Sequence, residues 1–250
     1  MGKFVAGSGG IFFENEEDPI LNYIISLVDD TRRANGMRAV YLPTAGRDDR
    51  DKEPIVRDYF MRHGFVRVDY LCLTDPALTE EDIREIILSA SVIYGGGGDT
   101  KFLLDTWRKT HADVYLKQAY ENGVVIAGQS AGAHSWFRYA YDNTYDDGQY
   151  CMLRGLDILP YCMCPHYEDW TGFPKDVWMQ EYDGIGVDND IAIAFVDGTY
   201  EVIDSHRNPK HSAWYMPIGE KFAVHDLQKE PMVLHMPDGK GPYIYPKIKK

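Results

Sequence analysis

Val124-Val125-Ile126-Ala127-Gly128-Gln129-Ser130-Ala131-Gly132 joins a short, wholly apolar run to a Gly-x-Ser-x-Gly pentapeptide. A β-branched run with no polar interruption is what the centre of a parallel sheet requires, because helices cover both of its faces. A strand delivered straight into Gly-x-Ser-x-Gly and then a helix is a nucleophile elbow: the serine takes a strained turn, and the glycines let the strand and helix backbones approach closely. Ala131 would carry its N–H at the helix N-terminus, where negative charge is stabilised. A tight turn without chemistry is the alternative reading of the same residues.

Working outward, the first half alternates short apolar runs with helical patterns, the rhythm of βα repeats around a parallel sheet. Lys3–Ala6 reads as a first strand, Ile20–Asn35 as a helix closed by Gly36, and Arg38–Leu42 as a strand stopped by Pro43. Glu53–His63 reads as a helix, Phe65–Leu71 as a strand, Thr79–Ala90 as a helix opened by a capping box, and Ser91–Tyr94 as a strand. Helical stretches fill Thr100–Glu121 before the strand that leads to Ser130. Beyond residue 140 the rhythm weakens into short strand candidates: Leu156–Leu159, Ile191–Phe195, Tyr200–Ile203, Ser212–Met216 and Lys221–Val224. The expectation is a three-layer, doubly wound, mostly parallel α/β sheet in one domain over 1–250, with an antiparallel β-rich extension from about residue 206.

Composition narrows the function. The 250 residues carry 26 basic and 39 acidic side chains, a net charge of −13, with no basic stripe to neutralise phosphates, so nucleic acid is not an expected partner. No apolar run reaches the ~20 residues that span a bilayer, and the N-terminus has no signal-peptide core, so a cytoplasmic protein without membrane contact is expected. Cys72, Cys151, Cys162 and Cys164 are too few for a disulfide framework. Cys162, Cys164 and His166 alternate, but i and i+2 side chains on a strand sit about 6.6 Å apart, whereas sulfurs on one zinc sit roughly 3.7 Å apart. No metal and no cofactor are expected.

Tyr94-Gly95-Gly96-Gly97-Gly98-Asp99-Thr100 places four glycines between a strand and a helix. It lacks the Gly-Lys-Ser/Thr ending or the Gly-x-Gly-x-x-Gly spacing of nucleotide loops. It can instead offer a backbone N–H to an oxyanion, which needs two preorganised donors. The serine also needs a general base. Of His63, His111, His134, His166, His206, His211, His225 and His235, His166 follows the apolar stretch Leu159–Pro165 where a strand would end, the edge at which open α/β sheets gather ligands. His134, one turn past Ser130, would point along its helix.

Gly96–Leu104 (Gly-Gly-Gly-Asp-Thr-x-x-Leu-Leu), Ala127–Ala133 (Ala-Gly-Gln-Ser-Ala-Gly-Ala) and Cys164–Tyr167 (Cys-Pro-His-Tyr) resemble, in order and spacing, the dipeptidase E and cyanophycinase family of serine peptidases. The resemblance covers about residues 1–205. It implies the class I glutamine amidotransferase-like, flavodoxin-like fold and a Ser-His-acid acyl-enzyme mechanism. Ser130 is then the nucleophile and His166 the base, with Ala131 and Gly97 or Gly98 as oxyanion donors. For the acid it implies Asp197, in Ile193-Ala194-Phe195-Val196-Asp197-Gly198, with Asp142 as the alternative and Glu201 nearby.

The substrate implied is a small peptide, cleaved by a dipeptidase or other exopeptidase. The family's dipeptidase cleaves after an N-terminal aspartate, which demands a cation in the pocket. Here the loop Glu168–Lys175 is acidic and aromatic with a single lysine, leaving Arg138 as the candidate substrate-binding cation, its other reading being a solvated helix arginine. Two rival functions share parts of the pattern. An α/β-hydrolase esterase would order its triad Ser, acid, His; a silent amidotransferase-like binding module would have lost one of the three parts, and all three are present. The sequence sets no oligomeric state.

Overall fold

The computed structural model describes residues 2–143, 150–170, 172–234 and 244–247. The chain opens with β1 (Lys3–Gly7), α1 (Pro19–Ser26), α2 (Asp30–Ala34), β2 (Met37–Leu42), α3 (Glu53–Arg62), β3 (Phe65–Tyr70), α4 (Glu80–Leu88) and β4 (Val92–Gly95). There follow α5 (Thr100–Lys109), α6 (Ala112–Glu121), β5 (Val125–Gln129) and the short elbow helix α7 (Ala131–His134). The second half holds β6 (Phe137–Asp142), β7 (Cys151–Arg154), β8 (Leu159–Pro165), α8 (Phe173–Met179), β9 (Gly184–Val187), β10 (Ile191–Val196), β11 (Thr199–Asp204), β12 (Ala213–Met216), β13 (His225–Asp226) and β14 (Tyr245–Pro246).

Among the described residues the strands make two sheets. The larger has the order β14-β11-β10-β1-β5-β4-β2-β3, and its run from β1 to β3 is parallel. The smaller has the order β13-β12-β9-β8-β6-β7, parallel only at β9-β8-β6. One apolar cluster, with Phe4, Ile93, Trp107, Ile126, Trp136, Tyr161 and Tyr215, fills the space between the large sheet, the helices α4 to α6 and the small sheet. A second, with Val5, Ile20, Tyr59, Phe60, Tyr94 and Ala127, lies under α1 and α3 on the opposite face. The three-layer doubly wound sheet of the sequence reading is present, and a second sheet, packed on it, has been added.

The chain departs from the sequence reading at three places. The helix expected over Ile20–Asn35 is split, because Asp29 takes an extended backbone and its carboxylate accepts from Arg32 N–H at 2.9 Å, starting α2 afresh. The strand expected at Leu156–Leu159 begins at Leu159 and runs to Pro165. The expected strand at Lys221–Val224 is absent, the pairing falling instead on His225–Asp226. Parts of the expected C-terminal extension, with His235, lie outside the described residues, as does Thr171 in the Glu168–Lys175 loop.

Strand direction decides which residues share an edge with the turn after β5. The registers Gly95↔Gly128 and Gly7↔Gln129 bring the C-terminal ends of β4, β5 and β1 to one edge. β10 runs antiparallel to β1, with Gly7↔Ala192 and Lys3↔Val196. The residues before β10 therefore sit at that edge, and the residues after it at the opposite one.

Candidate active site

Ser130 has φ 50° and ψ −120°, a backbone conformation hostile to a side chain. It is held there by close backbone packing. A Cβ on Gly128 would lie 2.3 Å from the Gly132 carbonyl oxygen, and one on Gly132 would lie 2.3 Å from the Gly95 oxygen. Strand β5, helix α7 and strand β4 thus meet through three glycines with no room for a methyl group. The Ser130 N–H donates to the Gly7 carbonyl at 3.1 Å, and the Tyr94 hydroxyl donates to the Gln129 side-chain oxygen at 3.0 Å. The turn is pinned from both neighbouring strands.

Gly97 packs against the serine: a Cβ there would lie 3.2 Å from Ser130 Cβ and 3.8 Å from its Oγ. Gly98, with φ 142°, packs against the Ala45 backbone instead. Ala131 is the first residue of α7. Gly97 and Ala131 therefore flank Ser130, and Gly98 stands one step removed.

A buried strut ties these two flanks together. His134 of α7 lies with Nε2 2.8 Å from the Thr100 hydroxyl, in the first turn of α5 after the glycine loop. The same hydroxyl donates to Asp142, whose carboxylate lies 3.5 Å from His134 Nε2. Burial holds the His134 pKa well below its usual value against the opposing pull of Asp142, so the ring is neutral near pH 7. Asp142, the alternative acid, thus faces His134 and Thr100.

His166 follows β8 in a left-handed conformation, φ 53°, and its backbone N–H donates to the buried Ser8 hydroxyl at 2.6 Å. That turn aims the imidazole across the rim, with Nε2 3.1 Å from Ser130 Oγ. Nδ1 lies 2.7 Å from Oδ1 of Asn189. Behind Asn189 stands Glu168, which accepts from the Asn189 side-chain amide and, through both oxygens at 3.1 Å, from its backbone N–H. The turn bearing Asn189 is anchored by Asp188, whose carboxylate accepts from Trp214 Nε1 at 2.7 Å and Ser212 N–H at 3.0 Å, burial pushing its pKa up. His211 Nδ1 lies 2.7 Å from the Asn189 carbonyl oxygen.

Asp197 does not reach this site. It lies in the β10–β11 turn, and the six residues of β10 put it roughly 20 Å of strand beyond the rim that carries Asn189. The resemblance implied Asp197, as the acid before a glycine just after a late strand; β10 runs antiparallel to β1, so the residues before it, and not those after it, face the serine. Glu201 instead accepts from Tyr23 at 3.1 Å and Lys247 at 2.8 Å.

Arg138 is likewise displaced. It lies on β6 rather than on a helix, beside the Leu159 end of β8 and away from His166, with Nε donating to Asp157 at 2.8 Å. The remaining described histidines pair elsewhere: His63 with the Tyr59 carbonyl, His111 with Glu80, His206 with Asp204 and His225 with Glu220.

Sequence reasoning missed Asn189 and the use of Glu168. Glu168 offered a signal, a carboxylate two residues beyond the candidate base. Asn189 offered only an Asp-Asn-Asp turn before an apolar strand. Cys162 and Cys164 are both buried in the cluster with Tyr141, Phe173 and Met216, and desolvation raises both thiol pKa values, so they pack as apolar side chains. Among the described residues, no group of three or more His, Cys, Asp or Glu side chains could hold a metal ion, and no helix is long and apolar enough to cross a membrane.

An α/β sheet carrying a serine on a strained elbow, with an imidazole on its Oγ and glycine backbone beside it, defines the class of site: a serine–histidine centre of the amidotransferase-like architecture. Comparisons with known proteins take this further. A family model described as Peptidase family S51 matches residues 4–203, and the chain belongs to that family, the dipeptidase E family. The uncharacterised peptidase YgaJ of Bacillus subtilis (strain 168) is 34% identical over 166 residues, 65% of this chain and 66% of that protein. An uncharacterised peptidase of Pasteurella multocida (strain Pm70) is 30% identical over 141 residues, 54% of this chain and 65% of that one. The matched region spans just under two thirds of each relative's length. The crystal structure of a peptidase from an acI-B1 actinobacterium shares the fold, with a TM-score of 0.62 at 21% identity, covering 90% of this chain and 96% of that one.

Proposed function

We propose that the chain is a serine peptidase that cleaves small peptides through an acyl-enzyme. The observation that carries this reading is the 3.1 Å approach of His166 Nε2 to Ser130 Oγ at a strained elbow. Ser130 Oγ attacks the scissile carbonyl carbon while its proton passes to Nε2. The carbonyl oxygen, now negative, is held by the N–H groups of Gly97 and Ala131. The tetrahedral intermediate collapses, the C–N bond breaks, and the leaving amine takes the proton from His166. Water then attacks the ester carbonyl, gives a proton to Nε2, and the proton returns to Ser130 Oγ as the acid leaves.

A cavity of about 300 Å³ borders Gly96 and Gly97, with Tyr41 and Tyr70 in its wall. That volume is at the low end of the range for small-molecule pockets, in keeping with a small peptide substrate. Its lining carries Asp49 and Asp51 against Lys52. This balance disfavours an N-terminal aspartate and favours neutral or basic residues. A dipeptide panel with Asp, Tyr and Lys N-termini, run against N-blocked controls and Ser130→Ala, tests the reading. Turnover of free-N-terminus dipeptides, lost in Ser130→Ala, is expected; hydrolysis undiminished in Ser130→Ala overturns it.

A further inference from the structure

We infer that Asn189 and Glu168 are the positioning residues behind His166: a neutral amide holds the imidazole, and a carboxylate one step further out fixes the amide. This rests on the serine peptidase reading above. For Nε2 to accept the Ser130 proton, a neutral His166 must carry its own proton on Nδ1. The group 2.7 Å from Nδ1 must therefore be an acceptor.

An amide can present either an oxygen or an NH2, and the two ends are nearly isosteric. Glu168 removes the ambiguity. Its carboxylate only accepts, and it faces the far end of the Asn189 amide, so that end is Nδ2 and the end facing His166 is Oδ1. The backbone N–H of Asn189 donates to the same carboxylate, so Glu168 closes a ring on Asn189 through side chain and main chain together. The neighbouring turn is held on its other side as well. The Asp190 N–H donates to the Gly9 carbonyl at 2.9 Å, Arg207 pairs with Asp190 at 3.1 Å, and a Cβ on Gly9 would lie 2.3 Å from Asn189 Oδ1 and 3.0 Å from His166 Cε1. In this arrangement the charge that would stabilise the imidazolium is one amide away from the ring.

This makes a distinctive demand on substitutions. Asn189→Asp puts a carboxylate on Nδ1, yet its second oxygen then faces Glu168, oxygen against oxygen, within hydrogen-bond reach. Asn189→Asp alone should therefore be poor. Adding Glu168→Gln supplies an amide N–H to that oxygen and leaves a carboxylate bonded directly to the imidazole.

The test measures peptide kcat and KM together with the rate of fluorophosphonate modification of Ser130, in full-length variants whose melting temperatures show that they are folded. Asn189→Ala and Asn189→Asp should each lower kcat and the modification rate by about 100-fold with KM within about threefold. N189D/E168Q should recover at least tenfold over Asn189→Asp in both rates. The inference is overturned if Asn189→Ala keeps wild-type kcat, or if the double variant is no faster than Asn189→Asp. Should Asn189→Ala fail to fold, the Asp variant and the double variant decide the matter. The modification rate needs no peptide, so a wrong substrate class fails only the peptide assay. Failure of the relay shows in both readouts, with Ser130 still modified in the unsubstituted protein.

Discussion

The serine half and the histidine half of the site are built by different means. Ser130, its elbow and Gly97 come from two adjacent parallel strands, and their positions are set by backbone packed on backbone through Gly95, Gly128 and Gly132. His166, Asn189 and Glu168 come from the end of β8 and the turn before β10, and are set by side-chain hydrogen bonds that close on one another. One half is rigid because nothing else fits; the other is rigid because its polar atoms are mutually satisfied. A backbone lock fails by losing the fold, and a side-chain lock fails by losing the chemistry while the fold survives.

Glycine substitutions on the two sides separate these failures. Gly132→Ala drives a methyl group into the Gly95 and Gly96 carbonyls at 2.3 and 2.7 Å, and backbone cannot step aside. The largest effect is therefore expected there, about 3 kcal/mol or more and a melting temperature lower by about 10 °C, read by thermal denaturation. A change below 2 °C would show that the elbow has slack the geometry denies. Gly9→Ala meets the movable side chains of Asn189 and His166 instead. Its stability loss should stay near 1 kcal/mol, while kcat falls about 100-fold; equal loss in both measurements would erase the distinction between the two halves.

The buried strut sharpens the comparison through pH. His134 is held neutral by burial, with its pKa below the usual value. In the unfolded chain it takes up a proton below about pH 6.5, while in the fold it resists doing so. The unfolded state thus gains as pH falls through that window, so stability on the serine side should drop on the order of 1–2 kcal/mol between pH 7.5 and 5. Urea unfolding at both values should show a smaller drop in His134→Gln; an identical drop would mean the ring is not the source. The smallest effects are expected at the two displaced candidates. Asp197→Asn and Arg138→Gln should each leave kcat/KM within about twofold, since neither is near His166. A tenfold loss in either would return it to the site.

The serine half was legible in the sequence because it is local. Strand, glycines, serine and helix follow one another within a dozen residues, and steric need writes itself into Gly128 and Gly132. His166 was legible because it follows directly on the C-terminal end of an apolar strand, β8, and that end lies beside Ser130. The third member was not, because strand direction is a property of pairing rather than of composition. Ile191–Val196 reads equally well in either direction, and the family pattern that pointed to Asp197 at one end of it said nothing of Asn189 before the other. The small sheet was hidden for a related reason. An elbow suggests a long following helix, yet α7 ends at His134, and Phe137–Asp142, rich in aromatics, pairs instead with β7 and β8.

Whether His166 activates Ser130 is read by fluorophosphonate labelling with mass-spectrometric localisation of the adduct. One adduct is expected, on Ser130, absent from Ser130→Ala and formed at least about 100-fold more slowly in His166→Ala. Modification at another residue, or labelling undiminished in either variant, would contradict it.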